Sequence, residues 1–191
     1  MISIGITGII GSGKSMLSQV FRSMDIPVYD ADTRAKELMN NNFAIRIRLK
    51  LEFGEETYRN DRINKEYLRK IVFGDEKNRQ IINSIVHPAV KNDFIAWREK
   101  TGAKIVAIES AIIFDAKLED ILDKIIFVEA AEDILVKRIC FRDNVSEEIA
   151  LNKIKLQREN VGREKCDAIF INDRNHSLIE QAENFINNLK Y

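Results

Sequence analysis

A chain of 191 residues can bury a sizeable core, and its length favours one domain with a small insertion over two equal halves. Its 30 basic and 30 acidic residues cancel, so no global field points to nucleic acid or an anionic membrane as the main partner. Cys140 and Cys166 lack metal-ligand neighbours, and no leader-type segment or membrane-length apolar run is present, so a soluble protein of the reducing cytoplasm is expected.

In chain order, Ile2 to Thr7 is an unbroken apolar run and predicts a strand buried on both faces. A helix is expected from Lys14 to Met24, a shorter strand from Ile26 to Asp30, and a helix from Thr33 to Met39. From Phe43 to Lys100 no strand pattern appears. The periodicity there is helical, through Tyr67, Ile71 and Val72, then Ile81, Ile82 and Ile85, then Val90, Phe94 and Trp97. Within that block His87-Pro88 reads as the junction of two helices, Pro88 sitting in the first turn of the second. Lys104 to Glu109 and Lys124 to Glu129 predict further strands, followed by helices at Ala131 to Arg142 and Ser146 to Gln157. The chain finishes with a strand at Ala168 to Asn172 and a helix at Ser177 to Leu189, opened by Ser177 and Glu180 at capping-box spacing.

Strands alternating with helices imply an α/β fold, a doubly wound parallel sheet of about five strands with the ligand site at the carboxyl ends of the strands. The long helical block between two core strands is expected to build or cover a substrate site.

Gly8, four residues, then Gly13, Lys14 and Ser15 match G-x-x-x-x-G-K-[ST] between a predicted strand and a predicted helix, the setting of a phosphate-binding loop. Glycines let successive N–H groups turn inward, and the following helix adds its positive end. Lys14 can then reach the β- and γ-phosphates while the Ser15 hydroxyl helps hold Mg²⁺. A guanine-reading Asn/Thr-Lys-x-Asp is not evident; Asn64 to Tyr67 comes nearest and lacks the aspartate. Size favours a small-molecule kinase over a motor or remodelling ATPase.

Asp30 and Asp32 follow the short second strand. If the strand persisted, alternation would send both carboxylates the same way, and Asp32 could accept the proton of a substrate hydroxyl; the other reading makes them caps of the next helix. Glu109, closing a buried-type run, either contacts Mg²⁺ through water, binds substrate or is a solvated strand end. Arg138 and Arg142, one helical turn apart, with Arg158 and Arg163 beyond, suggest a cationic lid, or else a solvated helical face with ion pairs. His87 alone reads as a hinge residue, His176 as a surface loop residue, and Tyr67, Phe94 and Trp97 as packing of the inserted helices or, where exposed, a stacking face for a nucleobase.

These pieces together resemble the dephospho-coenzyme A kinase family: ITGIIGSGKS, IPVYDAD at Ile26 to Asp32, INSIVHPAV at Ile82 to Val90, IESAIIFD from Ile108, KRICFRD from Lys137 and the strand ending in Asn172. The resemblance covers nearly the whole chain. It implies ATP-dependent phosphorylation of the ribose 3′-hydroxyl of dephospho-CoA with Mg²⁺, in a core at 1–35 and 101–191, a coenzyme-binding helical insertion at 36–100 and a lid near 138–160. It implies Asp32, Lys14, Arg138 and Arg142 as catalytic, and ATP contacts at Gly8, Gly11, Ser12, Gly13, Lys14, Ser15, Met16, Arg138, Arg142 and Asn172. Asp32, His87 and Glu109 fall to the acceptor side, and Mg²⁺ to Ser15 with Glu109 acting through water. Departures from the family pattern are Ile9 in place of the usual glycine, Ala111 for proline, Asp115 for glutamate, and Asp173-Arg174 where a glycine is expected. Two other functions compete: a shikimate- or nucleoside-monophosphate-type kinase, and a nucleotide-dependent binding protein. The residues leave the oligomeric state open.

Overall fold

Unbroken runs of isoleucine and valine form the middle of a sheet covered on both sides. The computed structural model describes residues 1–158 and 162–189. Glu159 and Asn160, the last two of the expected lid range, lie outside the described residues. In chain order the elements are β1 (Ile2–Thr7), α1 (Lys14–Ser23), β2 (Val28–Asp30), α2 (Ala31–Asn41), α3 (Phe43–Phe53), β3 (Tyr58–Arg59), β4 (Arg62–Ile63), α4 (Lys65–Val72), α5 (Glu76–Thr101), β5 (Ile105–Glu109), β6 (Lys124–Glu129), α6 (Glu132–Asp143), α7 (Glu147–Arg158), β7 (Ala168–Ile171) and α8 (Leu178–Asn187). They divide into two units, one holding Met1–Tyr29 and the chain from Thr101 onward, the other Asp30–Lys100.

The first unit holds the sheet, in the order β2-β5-β1-β6-β7. β1 runs parallel to β5 on one side and to β6 on the other, with Ile4 opposite Ala107 and Lys124, and β6 runs parallel to β7. Consecutive residues of one strand serve different faces. Ile126 and Val128 join Ile4, Ile6, Leu17, Phe21 and Phe170 in one cluster. Phe127, between them, joins Leu135, Ile139, Ala150 and Ile154 in another. Burial of both faces is why these strands read as continuous apolar runs and not as alternating ones. β1 is central, so the loop that follows it leaves the sheet between the carboxyl ends of β5 and β6, the switch point at which such sheets bind ligands.

The second unit packs α2, α3, α4 and α5 around Ile45, Leu49, Phe53, Ile63 and Ile85. Its helices start on side-chain caps: Asp30 accepts from Thr33 N at 3.0 Å, Asn42 from Ile45 N at 3.1 Å and Asn64 from Tyr67 N at 3.2 Å. Tyr67 packs in this core and donates its hydroxyl to Phe53 O at 2.7 Å, while Phe94 is fully buried and stacks on Trp97 with ring centroids 5.9 Å apart.

Two sequence expectations are corrected here. The block from Phe43 to Lys100 does contain strands: β3 and β4 form an antiparallel hairpin in which Tyr58 faces Ile63. The turn places Asn60 and Asp61 at φ 51° and 59°, the left-handed pair that two-residue hairpins require. Pro88 does not begin a helix; it lies inside the continuous 26-residue α5. The proline ring removes one N–H and crowds the carbonyl of Ser84, a cost of about 3 kcal/mol. Burial of Ile85, Val86, Val90 and Phe94 on both sides of it keeps the two halves on one axis. Replacing Pro88 with Ala should therefore stabilise the protein by about 1–3 kcal/mol, raising the urea midpoint, whereas a genuine helix junction at this position would leave the midpoint unchanged or lower it.

Candidate active site

The loop from Gly8 to Ser15 is shaped by backbone that only glycine adopts easily. Gly8, Gly11 and Gly13 have φ of 143°, 80° and 101°. A side chain at Gly8 would strike the Val128 carbonyl, and one at Gly13 would strike the Asn172 carboxamide. Ile9 is 5% exposed and packs into the α6–α7 cluster, which anchors the start of the loop.

Outer contacts fix the direction of the loop's peptides. Arg138 on α6 donates to Gly11 O at 3.2 Å and Ser12 O at 3.3 Å, and to Asn172 O at 3.2 Å. Asn172, 5% exposed just past β7, donates its Nδ2 to Ser12 O at 2.7 Å and its N–H to Glu129 O at 2.8 Å. A trans peptide points its C=O and N–H in opposite directions, so pinning the Ser12 carbonyl outward turns the Gly13 N–H inward. Gly13 caps α1 with no side chain, in contrast to Asp30, Asn42, Asn64 and Ser177 on other helices. The α1 N-terminus thus keeps unsatisfied N–H groups and its positive dipole end for an anion. Lys14 lays its ammonium on Gly8 O at 2.9 Å and Ile9 O at 3.2 Å. The buried Ser12 hydroxyl has no hydrogen-bond partner among the described residues. An amide-lined turn with a lysine on its rim and an orphan hydroxyl fits a polyphosphate.

Glu109 ends β5 beside the first turn of α1. Its two carboxylate oxygens accept from Ser15 Oγ at 2.8 Å and Ser18 Oγ at 2.6 Å. Ser18 lies one helical turn beyond Ser15 on the same face, a spacing visible in the sequence but not read there. Hydroxyl and carboxylate oxygens are the hard donors Mg²⁺ takes alongside phosphate and water. The donor set fits that ion as part of a nucleotide complex; among the described residues no cluster of three or more metal-binding side chains stands ready to hold one alone.

The arginines divide. Arg138 sits on the loop. Arg142, one turn further along α6, is held by its neighbour Asp143, which accepts from its Nε at 2.7 Å and from Lys153 Nζ at 2.7 Å. The Arg142 guanidinium, then the Lys153 ammonium, keep the Asp143 carboxyl well below the usual carboxylate range, and the same hydrogen bond raises Arg142. Arg158 pairs with Glu132, and Arg163 with Glu129 at 2.9 Å. Each of these three arginines is thus engaged with a carboxylate, whereas Arg138 is engaged with loop carbonyls. From the end of α7, Gln157 Oε1 accepts the Ile10 N–H at 2.6 Å, a contact no local pattern announces. A cavity of about 650 Å³ opens beside Ile9, with Phe114, Phe127, Glu129, Arg158 and Arg163 among its lining residues, within the range of small-molecule sites.

The remaining candidates have simpler surroundings. Met16 is exposed on α1. Cys166 has its thiol pushed up to about 11, by burial first and then by Asp167 and Glu164, which favours the protonated thiol at neutral pH. In the second unit the expected alternation of Asp30 and Asp32 along one strand fails. β2 stops at Asp30, which caps α2 by accepting from the N–H and hydroxyl of Thr33, while Asp32 is an exposed residue in the first turn of that helix. His87 is partly buried in mid-α5.

The family model and the curated relatives point to one family. The family model for dephospho-CoA kinase matches residues 2–178. The dephospho-CoA kinase of Porphyromonas gingivalis is 34% identical over 192 aligned positions, covering 100% of this chain and 95% of the relative. That of Bacteroides fragilis is 36% identical over 184, covering 94% of this chain and 89% of the relative. A crystal structure of a Thermus thermophilus protein superposes with a TM-score of 0.83 at 27% identity, covering 100% of this chain and 98% of that one.

Gly13→Ala drives a methyl into Asn172 and strains the backbone, so nucleotide affinity should fall by at least about tenfold, read by calorimetric titration with ADP. The Asp143 network carries a pH signature. A depressed native pKa stabilises fully above the ordinary carboxylate value near 4, and the contribution is lost as pH falls below it. Asp143→Asn should thus melt below the unsubstituted protein at pH 7, the gap narrowing steadily below about pH 4.

Proposed function

The chain belongs to the dephospho-CoA kinase family, and from that premise we propose that it moves the terminal phosphoryl group of ATP onto the ribose 3′-hydroxyl of dephospho-CoA, releasing ADP and coenzyme A. The single observation that carries the reading is the glycine-hinged loop with its uncapped α1 N-terminus and Lys14 on its rim. The shikimate- or nucleoside-monophosphate-type alternative is not favoured, because the family match spans nearly the whole chain.

In this mechanism the α1 amides and the Gly13 N–H receive the β-phosphate, and the Lys14 ammonium exchanges the Gly8 and Ile9 carbonyls for β- and γ-phosphate oxygens. Gly8, Gly11 and Ser12 shape that cradle, Met16 borders it on α1, and Arg138 and Asn172 hold it open from behind through the Gly11 and Ser12 carbonyls. Ser15 and Glu109 are the groups that would hold magnesium, directly and through water. That ion, when bound, neutralises phosphate charge as the bridge to ADP breaks. Arg142 takes part only by exchanging Asp143 for phosphate oxygens.

The acceptor hydroxyl attacks the γ-phosphorus in line, and its proton passes to a carboxylate for which Asp32 is the candidate. Two points support that choice. Asp32 stands two residues beyond the carboxyl end of β2, and its neighbour Asp30 is already committed as a cap. The helical insertion at 36–100, His87 included, supplies the coenzyme-binding part in this reading, and 138–160 the lid. The substrates are ATP and dephospho-CoA, and the location is the cytoplasm; among the described residues no helix is long and apolar enough to cross a membrane.

Incubation with ATP, Mg²⁺ and dephospho-CoA should give coenzyme A by mass, with ADP released only when the acceptor is present. Asp32→Asn should cut turnover by at least about a hundredfold while ATP still binds. Undiminished turnover in that variant would remove Asp32 from its role.

A further inference from the structure

Gln157 is 147 positions from Ile10 in sequence, yet its carboxamide touches the phosphate loop. A backbone N–H can only donate, so the end of the carboxamide that meets Ile10 must be its oxygen. Both N–H donors of the same group are then left over, and among the described residues no hydrogen bond engages them.

The part of the loop concerned decides what those donors can meet. Lys14 Nζ rests on Gly8 O at 2.9 Å and Ile9 O at 3.2 Å, the two residues just before Ile10. The lysine of this motif reaches the β- and γ-phosphates, so the segment from Gly8 to Ile10 is the end of the cradle that receives the last phosphate. The first helical turn, Gly13 to Ser15, serves the inner ones. Gln157 therefore brings a neutral double donor to the terminal-phosphate end of the loop.

Its mounting is firm enough for that task. Gln157 lies in the last turn of α7, whose Ala150 and Ile154 are buried with Leu135 and Ile139 of α6 and with Ile9 of the loop itself. Helix and loop share one apolar cluster, and the 2.6 Å hydrogen bond closes the contact between them.

We propose that Gln157 is a positioning residue that links α7 to the phosphate loop and reads the third phosphate of the nucleotide, its oxygen on Ile10 N–H and its nitrogen on a γ-phosphate oxygen. The inference rests on the kinase reading for the nucleotide, not for the acceptor. A carboxamide is suited to this because it carries no charge: it stays put on the loop when phosphate is absent and adds a donor when phosphate arrives. A carboxylate at the same place would repel the ligand.

The test compares ADP with a non-hydrolysable ATP analogue on the full chain, titrated calorimetrically with Mg²⁺ present, for the unsubstituted protein, Gln157→Met and Gln157→Ala. Met keeps the length and apolar packing of the side chain, so loss of its hydrogen bonds is separated from loss of fold. The expected result is a weakening of the ATP analogue by about tenfold in both variants, as for one hydrogen bond to a charged group, with ADP affinity within about twofold. kcat should fall more than the KM for dephospho-CoA rises. Equal weakening of both nucleotides would make Gln157 a loop anchor only and overturn the proposal, as would unchanged affinity for both. Failure of the unsubstituted protein to phosphorylate dephospho-CoA would refute the acceptor assignment and leave the ADP-against-analogue comparison intact.

Discussion

Everything in the first unit depends on which way a few peptide groups between β1 and α1 are turned. A peptide that shows its carbonyl outward shows its N–H inward, and here the carbonyls of Gly11 and Ser12 are gripped from outside by Arg138 and Asn172. Neither grip is local. Arg138 comes from α6 and Asn172 from the end of β7, so the second half of the fold sets the shape of a loop near the start of the chain. The positive φ values at Gly8, Gly11 and Gly13 are the backbone's part of the same arrangement.

The chemistry assigned to the chain follows from that constraint. An anion cradle made of backbone amides needs no titration and no rearrangement to be ready, which is the pre-organised electrostatic environment that phosphoryl transfer requires. Charged side chains are added sparingly. Lys14 waits on loop carbonyls, and Glu109 is shared between two serines. Arg142, Arg158 and Arg163 are paired with Asp143, Glu132 and Glu129.

How much of this the sequence carries depends on whether the cause is local. The loop is legible because its motif fixes residue types at fixed spacing, and the strands because two-sided burial leaves continuous apolar runs. The β3–β4 hairpin is not legible by periodicity, since strands of two residues have no period; only Asn60-Asp61 marks it. Pro88 misleads because a buried face outweighs a single lost hydrogen bond. The pair Asp30 and Asp32 is ambiguous until the end of β2 is known, after which one caps and the other does not. The spacing of Arg138 and Arg142 leaves a lid and a solvated face both open, and the hydrogen bond of Arg142 to its neighbour Asp143 is a contact that spacing does not announce. Gln157 carries no signal at all, because its partner lies across the fold.

The most direct measurement of the central claim is the backbone amide spectrum of the full chain titrated with ADP and Mg²⁺. The account predicts large shifts at Gly13, Lys14 and Ser15, with lesser ones at Gly8 and Gly11. Saturable nucleotide binding that leaves those amides unmoved would contradict it, since the phosphates would then be held by some other part of the protein.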